Sequence, residues 1–268
     1  MTLSLGWFST GRGPGSYGML EKVLQAIDRG DLDIRIEFVF SNRERGEGEG
    51  SDRYFDLVES RGIPLVTFSS PRFRRLHGWD FAGHRLEYDQ HVIGLLNGFS
   101  PDLCVLAGYL LIFSASLCAA FDSINLHPAL PSGPKGLWQS VIWDLVQQGS
   151  DESGAMIFLV TETVDEGPPV TFTRFPIKGE SFDHAWNVFS IESLLDVRAR
   201  EGEENYLFQL IRSEGVRREP LLLLETIKKF ATGQIRVSEG MLVGPNESQL
   251  APIDLTVLVE RQLQMEGY

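Results

Sequence analysis

The feature that most constrains the fold is a regular alternation of short apolar runs with amphipathic segments along the first half of the chain. Residues 3–8 read as a strand, a glycine-rich turn follows at 11–18, and apolar residues then recur at helical spacing over 19–27. The pattern continues with strands at 34–40, 64–68 and 103–106 and with helices at 54–61 and 85–98. Alternation of this kind predicts βαβ units with right-handed crossovers, and therefore an α/β fold with a Rossmann-like, mostly parallel twisted sheet flanked by helices.

The second half of the chain is more varied. After a strand that ends at His127, the pattern predicts a loop over 128–136, a helix over 137–148 and strands at 155–160 and 170–175. Helical stretches then follow at about 184–212 and 220–231, with short strands near 234–238 and 240–243. An uncharged run at 103–121 approaches the roughly 20 residues that cross a bilayer. Gly108, Ser114 and Ser116 interrupt it without flanking basic residues, so a buried strand, loop and short helix is the better interpretation.

Charge and cysteine content narrow the class of protein. The 268 residues carry a formal net charge of −13, which disfavours partners with phosphate backbones or anionic membrane surfaces. Cys104 and Cys118 lie inside apolar runs without CxxC spacing, which favours reduced, buried thiols. The first eight residues lack the basic segment of a signal peptide. We therefore expect a cytoplasmic protein that binds neither nucleic acid nor membrane.

Three polar residues form the first candidate site. Side chains alternate along a strand, so Asn125 and His127 share one face, and Asp165 follows on a later Asp-Glu-Gly-Pro loop. An amide can donate to a developing oxyanion, an imidazole can move protons, and a carboxylate can orient the imidazole. The alternative is a capped strand end with a satisfied histidine. The shared face and the adjoining Pro- and Gly-rich loop favour a site.

Two further segments could bind anions. The glycines of 11–18 would let backbone N–H groups approach a phosphate, although an ordinary strand-to-helix turn with Ser16 as helix N-cap explains them equally well. Arg72, Arg74, Arg75 and His77 form a local basic patch, for which a solvated loop is slightly favoured over anion capture. The five histidines show no metal-binding spacing, so we expect no metal.

Taken together, these segments resemble the folate-dependent formyltransferases over nearly the whole chain. The resemblance is carried by seven segments, namely 40–42 (FSN), 85–89 (RLEYD), 100–109 (SPDLCVLAGY), 124–130 (INLHPAL), 135–137 (KGL), 160–162 (VTE) and 165–168 (DEGP). It implies transfer of a formyl group from 10-formyltetrahydrofolate, as co-substrate, to an amine. Within the family the likeness is greatest to members that formylate glycinamide ribonucleotide in purine biosynthesis.

The resemblance also implies roles for individual residues. Asn125, His127 and Asp165 would be catalytic, and Glu214 would bind the substrate ribose. The substrate phosphate would bind Gly13, Gly15, Ser16 and Tyr17, and the folate would contact Arg85, Leu111, Ile112, Phe113, Thr161 and Glu162. We expect one domain over 1–268, with a phosphate-binding half at 1–122 and a catalytic and folate-binding half at 123–268 that ends in a helical segment.

Departures from the family leave alternatives open. Tyr17 replaces a common Asn, Trp138 and Phe158 each replace a common His, and Glu166 replaces a Gly. The acceptor could therefore be another phosphate-bearing amine, such as an amino-sugar nucleotide. A protein of a different class, a non-catalytic folate- or nucleotide-binding protein, is the second alternative. Transfer to initiator tRNA and hydrolysis of the formylated folate are less favoured, because the C-terminal part is acidic and helical and no N-terminal regulatory domain is expected. Homodimerisation is left open.

Overall fold

The centre of the structure, a computed structural model, is a sheet of eight strands. Residues 2–163, 166–190, 192–238 and 240–267 are described, except for the side chains of Glu180 and Ser190. The described residues form ten strands, of which all but β8 and β9 belong to this sheet: β1 (Leu3–Ser9), β2 (Ile34–Ser41), β3 (Leu65–Thr67), β4 (Leu103–Leu106), β5 (Ser123–His127), β6 (Glu152–Leu159), β7 (Pro169–Pro176), β8 (Arg236–Ser238), β9 (Met241–Val243) and β10 (Ile253–Asp254).

Helices connect the strands and cover the sheet. They are α1 (Pro14–Asp28), α2 (Glu49–Ser60), α3 (Ser70–Leu76), α4 (Arg85–Leu95), α5 (Ala115–Ala120), α6 (Trp138–Gln148), α7 (Glu180–Trp186), α8 (Leu194–Glu201), α9 (Tyr206–Ala231) and α10 (Thr256–Met265). Short 3₁₀ segments follow α7 and α8 at Asn187–Ser190 and Gly202–Glu204. None of the described helices is both long and apolar enough to cross a membrane.

The strand order is β10-β7-β6-β5-β4-β1-β2-β3, with β8 and β9 as a separate hairpin. Strands β3, β2, β1, β4 and β5 run parallel to one another, whereas β6 is antiparallel to both β5 and β7. The expected mostly parallel, helix-flanked sheet is confirmed. Because β1, β2, β4 and β5 end at the same edge, the loops that follow them meet there, which is where parallel α/β sheets place their ligands.

The central strand β1 is mostly apolar because it is buried on both faces of the sheet. Its residues from Ser4 to Ser9 are buried, because helices cover both faces of the sheet. Gly6 lies where the β1–β2 register shifts, and a Cβ atom there would stand 2.6 Å from both Cys104 Sγ and Phe38. A glycine is therefore required for β1 to lie between β2 and β4.

Two apolar clusters pack against the faces of the sheet. On one face, α1, α2 and α9 contribute buried side chains to the larger cluster, including Leu221–Leu224 of α9. On the other face an aromatic cluster surrounds Phe8, whose ring centroid lies 5.0 Å from that of Phe113 and 5.7 Å from that of Tyr109. A third cluster joins α6 and α7 to the first turns of α9.

Several boundaries differ from the sequence-based predictions. Helix α2 begins at Glu49 rather than at 54, and the arginine-rich segment forms α3, because the Ser69 hydroxyl caps the Arg72 N–H and a proline stands in its first turn. The two helices expected on either side of Pro220 are one helix, α9. Burial of Leu221–Leu224 and Ile227 offsets the backbone hydrogen bond that proline removes. Strand β10 and helix α10 were not foreseen.

Candidate active site

The candidate catalytic pair stands at the end of β5. Asn125 pairs with Leu106 of β4 on one side and with Phe158 of β6 on the other, and His127 pairs with Met156. Asn125 is half-buried, and its side chain makes no hydrogen bond with any other described residue, so its amide is free to meet a ligand. His127 is 4% exposed, with the Phe158 ring 6.4 Å away at nearly right angles.

A backbone carbonyl fixes the orientation of the His127 imidazole. Nε2 of His127 lies 2.9 Å from the carbonyl oxygen of Pro134, in the loop that follows β5. A carbonyl oxygen can only accept, so the hydrogen is on Nε2 and the neutral ring keeps its lone pair on Nδ1. The loop 128–136 thus sets the tautomer, and Nδ1 is the atom available to exchange a proton.

The third predicted catalytic residue, Asp165, lies outside the described residues. The described residue that follows it, Glu166, contacts the loop after β5, because Lys135 Nζ, eight residues after His127, lies 2.7 Å from Glu166 Oε1. Gly167 passes close to the backbone of Leu159, where a Cβ atom would stand 1.6 Å from the carbonyl oxygen. The loop between β6 and β7 therefore crosses to the loop that holds His127.

The glycine loop begins a helix at the same edge of the sheet. Helix α1 starts at Pro14 with Gly13 as N-cap, so the expected N-cap role of Ser16 is wrong and Ser16 lies buried in the first turn. A proline suits this position because the first N–H groups of a helix have no partner inside it. Those N–H groups and the positive end of the α1 dipole favour the binding of an anion. Tyr17 is half-buried and packs on the core.

Arg212 of α9 completes the surroundings of the glycine loop and was missed by sequence reasoning. Its Nη2 atom would lie 3.8 Å from a Cβ atom at Gly15, its guanidinium stacks 4.7 Å above the Trp138 ring centroid, and it pairs with the buried carboxylate of Glu219. The predicted ribose ligand, Glu214, instead pairs with Arg217 and Arg218. Residues 212, 215 and 219 share one face of a continuous helix, a relation hidden by the predicted break before Pro220.

Arg85, a predicted folate contact, stands at the start of α4. Its Nε and Nη2 atoms are buried without a hydrogen-bond partner, and Nε lies 3.9 Å from Asp89 Oδ2. Asp89 is almost fully buried and accepts a 2.8 Å hydrogen bond from the Ser114 N–H. Burial raises the pKa of Asp89, against the opposing effects of Ser114 and Arg85. Unpaired guanidinium atoms of this kind suit an anionic or carbonyl-rich ligand such as a folate.

The other predicted folate contacts surround Arg85 or the neighbouring strand ends. Leu111 is half-buried and Ile112 45% exposed, whereas Phe113 is buried against Phe8. Glu162 is exposed but close enough to Cys118 that, after burial, its charge is the main cause of the raised pKa of that thiol. The Thr161 hydroxyl donates to the Thr163 carbonyl. The structure thus brings Arg85, Cys118 and Glu162 to one region.

Two other features do not include the side chains of Asn125 and His127. A cavity of about 920 Å³, lined in part by Pro134, Arg174 and Arg218, lies beside the loop 128–136, and its arginines already pair with carboxylates. At the junction of α3 and α4, His77, His84 and Glu87 each offer one ligand atom within 4.8 Å of the others. Sequence spacing did not reveal this group, because folding rather than a local motif brings the three together.

A Rossmann-like sheet with an amide and an imidazole at the end of one strand, beside a glycine loop at the end of another, can bind an anionic ligand and stabilise a developing oxyanion, which is chemistry that acyl-group transfer uses. The model of one family, formyl transferase, matches residues 13–185. The chain belongs to the formyl transferase family, as the resemblance predicted.

Relatives and solved structures agree with this assignment. The chain is 26% identical to phosphoribosylglycinamide formyltransferase of Haemophilus influenzae over 226 residues, 83% of this chain and 86% of that protein. It is 27% identical to the protein of the same name from Schizosaccharomyces pombe over 184 residues, 66% and 84% of the two chains.

Among solved structures, phosphoribosylglycinamide formyltransferase of Coxiella burnetii shares the fold with a TM-score of 0.68 at 18% identity, over 95% of this chain and 99% of that one. Formyltetrahydrofolate deformylase of Burkholderia mallei shares it with a TM-score of 0.64 at 17% identity, over 91% of this chain and 70% of that one. Transfer and hydrolysis of a formyl group are thus both found on this fold.

Proposed function

We propose that this protein transfers the formyl group of 10-formyltetrahydrofolate to the amine of glycinamide ribonucleotide, a step of purine biosynthesis. The observation that carries the proposal is the contact between the two halves of the site. Asn125 pairs with Leu106, and two residues further Gly108 packs directly on Ser16 of the glycine loop. A phosphate held at the start of α1 and an amine presented to Asn125 thus fit one small molecule. Relatives named for this reaction support the same acceptor.

The phosphate of the acceptor would bind the first turn of α1. Gly13, Gly15 and Ser16 would supply backbone N–H groups there, and Arg212 adds a guanidinium beside Gly15. The Tyr17 N–H already donates to the Gly13 carbonyl, so Tyr17 would border the phosphate through its side chain. Arginine and a helix N-terminus are both favourable partners for a phosphate. Glu214 stays the predicted ligand of the ribose hydroxyls. Glu219 is the acidic residue that pairs with Arg212 beside the glycine loop.

The folate would supply the formyl group and lie against Arg85, Glu162 and the exposed apolar side chains after β4. Leu110 and Ile112 are 59% and 45% exposed, and the buried guanidinium of Arg85 has unpaired atoms, so this region fits a ligand with an apolar ring and polar edges. Leu111, Phe113 and Thr161 would complete the wall through their backbone or packing.

Asn125 and His127 would act on the reacting atoms. The Asn125 amide would donate to the formyl oxygen as negative charge develops on it while the acceptor nitrogen attacks the formyl carbon. As the bond from the formyl carbon to N10 breaks, one proton must leave the acceptor amine and one must reach N10. His127, whose Nε2 is fixed on Pro134, would exchange protons through Nδ1. We propose that Asp165 holds the protonated imidazole.

The test is a formyl-transfer assay on the purified protein. We expect 10-formyltetrahydrofolate and glycinamide ribonucleotide to give tetrahydrofolate and formylated ribonucleotide, identified by mass spectrometry, with Asn125→Ala as the inactive control. Equal consumption of the folate without any amine would indicate a deformylase. Product only with an amino-sugar nucleotide would reassign the acceptor, and folate binding without turnover for any amine would contradict an enzymatic role.

A further inference from the structure

A second small cavity opens beside the glycine loop, between the ends of β1 and β2 and the start of α2. Its volume is about 250 Å³, and it is lined by Arg12, Arg43, Glu47, Gly48, Gly50 and Ser51. The walls approach closely, since a Cβ atom at Gly50 would stand 2.2 Å from the Arg12 carbonyl oxygen. The Ser51 hydroxyl donates to the Thr10 carbonyl, which ties α2 to the end of β1. The cavity is therefore built into the fold.

Two arginines line this cavity, Arg12 and Arg43. Among the described residues, neither Arg12 nor Arg43 forms an ion pair, and Nε of Arg43 is buried without a hydrogen bond. Arg74 of α3 lies near enough to act on Arg43, and its own Nε is also buried and unpaired. Burial is the main cause that lowers the pKa of Arg43. The charges of Arg12 and Arg74 lower this pKa further, whereas the charge of Glu47 raises it. Buried donors are normally satisfied, so these atoms point to a missing acceptor.

The one carboxylate of the cavity is already occupied. Glu47 accepts hydrogen bonds from the Ser69 hydroxyl and, at 3.1 Å, from the Glu44 N–H, contacts that hold the 44–48 loop against α3. The cavity lining therefore holds one engaged carboxylate and two guanidinium groups, and a third guanidinium, that of Arg74, lies near Arg43. In a chain of net charge −13, such a local excess of positive charge needs a ligand of opposite charge.

We propose that Arg12, Arg43 and Arg74 form a second anion site that binds a phosphate group, separate from the start of α1. The end of the second strand of a Rossmann-like sheet is where an arginine can bind an additional phosphate of a ligand that occupies the first glycine loop. Guanidinium groups match phosphate oxygens in geometry and charge. The phosphate can be free, as inorganic phosphate or pyrophosphate, or can belong to the acceptor amine.

Isothermal titration of the full chain with inorganic phosphate and pyrophosphate, at fixed ionic strength, tests the site. We expect Arg12→Gln and Arg43→Gln to weaken binding by about tenfold or more, because each removes a charge-assisted contact. Arg45→Gln is the matched control, since Arg45 lies two residues further along the same loop but pairs with Asp56 and Glu59. Arg212→Gln controls for phosphate bound at α1. Both control variants should titrate at this site like the wild type.

The proposal is overturned if the wild type binds neither anion, if Arg12→Gln and Arg43→Gln bind as the wild type does, or if only Arg212→Gln loses binding. A repeat titration with saturating glycinamide ribonucleotide assigns the source. Unchanged affinity supports a site for a separate anion, and competition supports a site for the phosphate of the acceptor. These titrations need no turnover, so a failure of the proposed formyl transfer would be seen separately.

Discussion

Gly108 lies against Ser16 so closely that a Cβ atom at residue 108 would stand 2.1 Å from the Ser16 hydroxyl oxygen. The contact joins the loop after β4 to the first turn of α1, and the Thr10 N–H, 3.0 Å from the Gly108 carbonyl oxygen, strengthens it. Gly108 also has a φ of +71°, which favours glycine. The acceptor side of the site and the strand beside Asn125 are thereby held at a fixed separation.

Gly108→Ala should therefore impair both stability and acceptor binding. The positive φ and the clash with Ser16 together should lower the free energy of unfolding by about 1–3 kcal/mol. Displacement of Ser16 should raise KM for glycinamide ribonucleotide more than KM for the folate. Denaturant unfolding and steady-state kinetics measure the two effects. Gly94→Ala in α4, where an added Cβ atom meets nothing within 4 Å, should be neutral or stabilising.

Asn125→Ala should abolish most turnover while leaving the fold intact. The loss of one oxyanion donor typically costs about 3 kcal/mol, which corresponds to a fall in kcat of a few hundredfold. Because Asn125 is half-buried and its side chain makes no hydrogen bond with other described residues, the melting temperature of the Asn125→Ala variant should stay close to that of the wild type. Near-normal kcat in a folded variant would remove Asn125 from the mechanism.

Two substitutions of His127 separate its structural and chemical roles. His127→Gln can keep a donor to the Pro134 carbonyl but cannot exchange protons, so kcat should fall by about 10²–10⁴ at near-normal stability. His127→Ala should lose turnover and also some stability, because the partly buried Pro134 carbonyl loses its side-chain partner and a cavity is left in place of the buried imidazole. Measuring kcat and the unfolding midpoint of both variants separates the chemical role of His127 from its structural role. Equal kcat for wild type and His127→Gln would assign His127 a structural role alone.

Arg212→Gln should raise KM for the ribonucleotide by about tenfold or more with little change in kcat, because phosphate binding is far from the reacting atoms. Glu214→Gln tests the ribose prediction in the same assay. Since Glu214 already pairs with Arg217 and Arg218, we expect a smaller change in KM and a modest loss of stability. A larger effect on KM from Glu214→Gln would restore the sequence-based assignment.

Alkylation of the two thiols should report on the folate side. Burial raises the pKa of both Cys104 and Cys118, so at pH 8 each holds less reactive thiolate than a free cysteine, and the alkylation rate should rise with pH. Half-buried Cys118 should react first and buried Cys104 only after unfolding. Bound folate should slow the reaction of Cys118. Mass spectrometry locates the label, and Cys118→Ser provides the background. Unchanged labelling at saturating folate would place the folate elsewhere.

Local patterns were enough to predict the sheet and the strand that carries Asn125 and His127. Apolar runs and glycine turns marked β1, β2, β4 and β5, and side-chain alternation placed Asn125 and His127 on one face. These features depend on neighbouring residues in the chain, so they can be read from it. The helix at 137–148, closed by Gly149 in the left-handed region, is a further case.

Features that depend on contacts between residues far apart in the chain could not be predicted from the sequence. Pro220 predicts a helix break, but burial of the leucines that follow it keeps α9 continuous. Arg212 was therefore missed, because its position beside Gly15 depends on how α9 packs on α1. The Pro134 carbonyl that orients His127 and the pairing of Lys135 with Glu166 likewise arise from loop folding.

Because α9 is continuous, the geometry of the proposed acceptor site also depends on how α9 packs in the core. Arg212 lies near the start of the helix and Leu222–Leu224 lie ten to twelve residues later, about 15–18 Å along its axis. Because both residues belong to one helix that packs on α1, we expect repacking around a cavity at Leu223 to shift the guanidinium beside Gly15. Core substitutions far from the substrate should then resemble binding-site mutations, appearing first as weaker phosphate affinity and only later as unfolding.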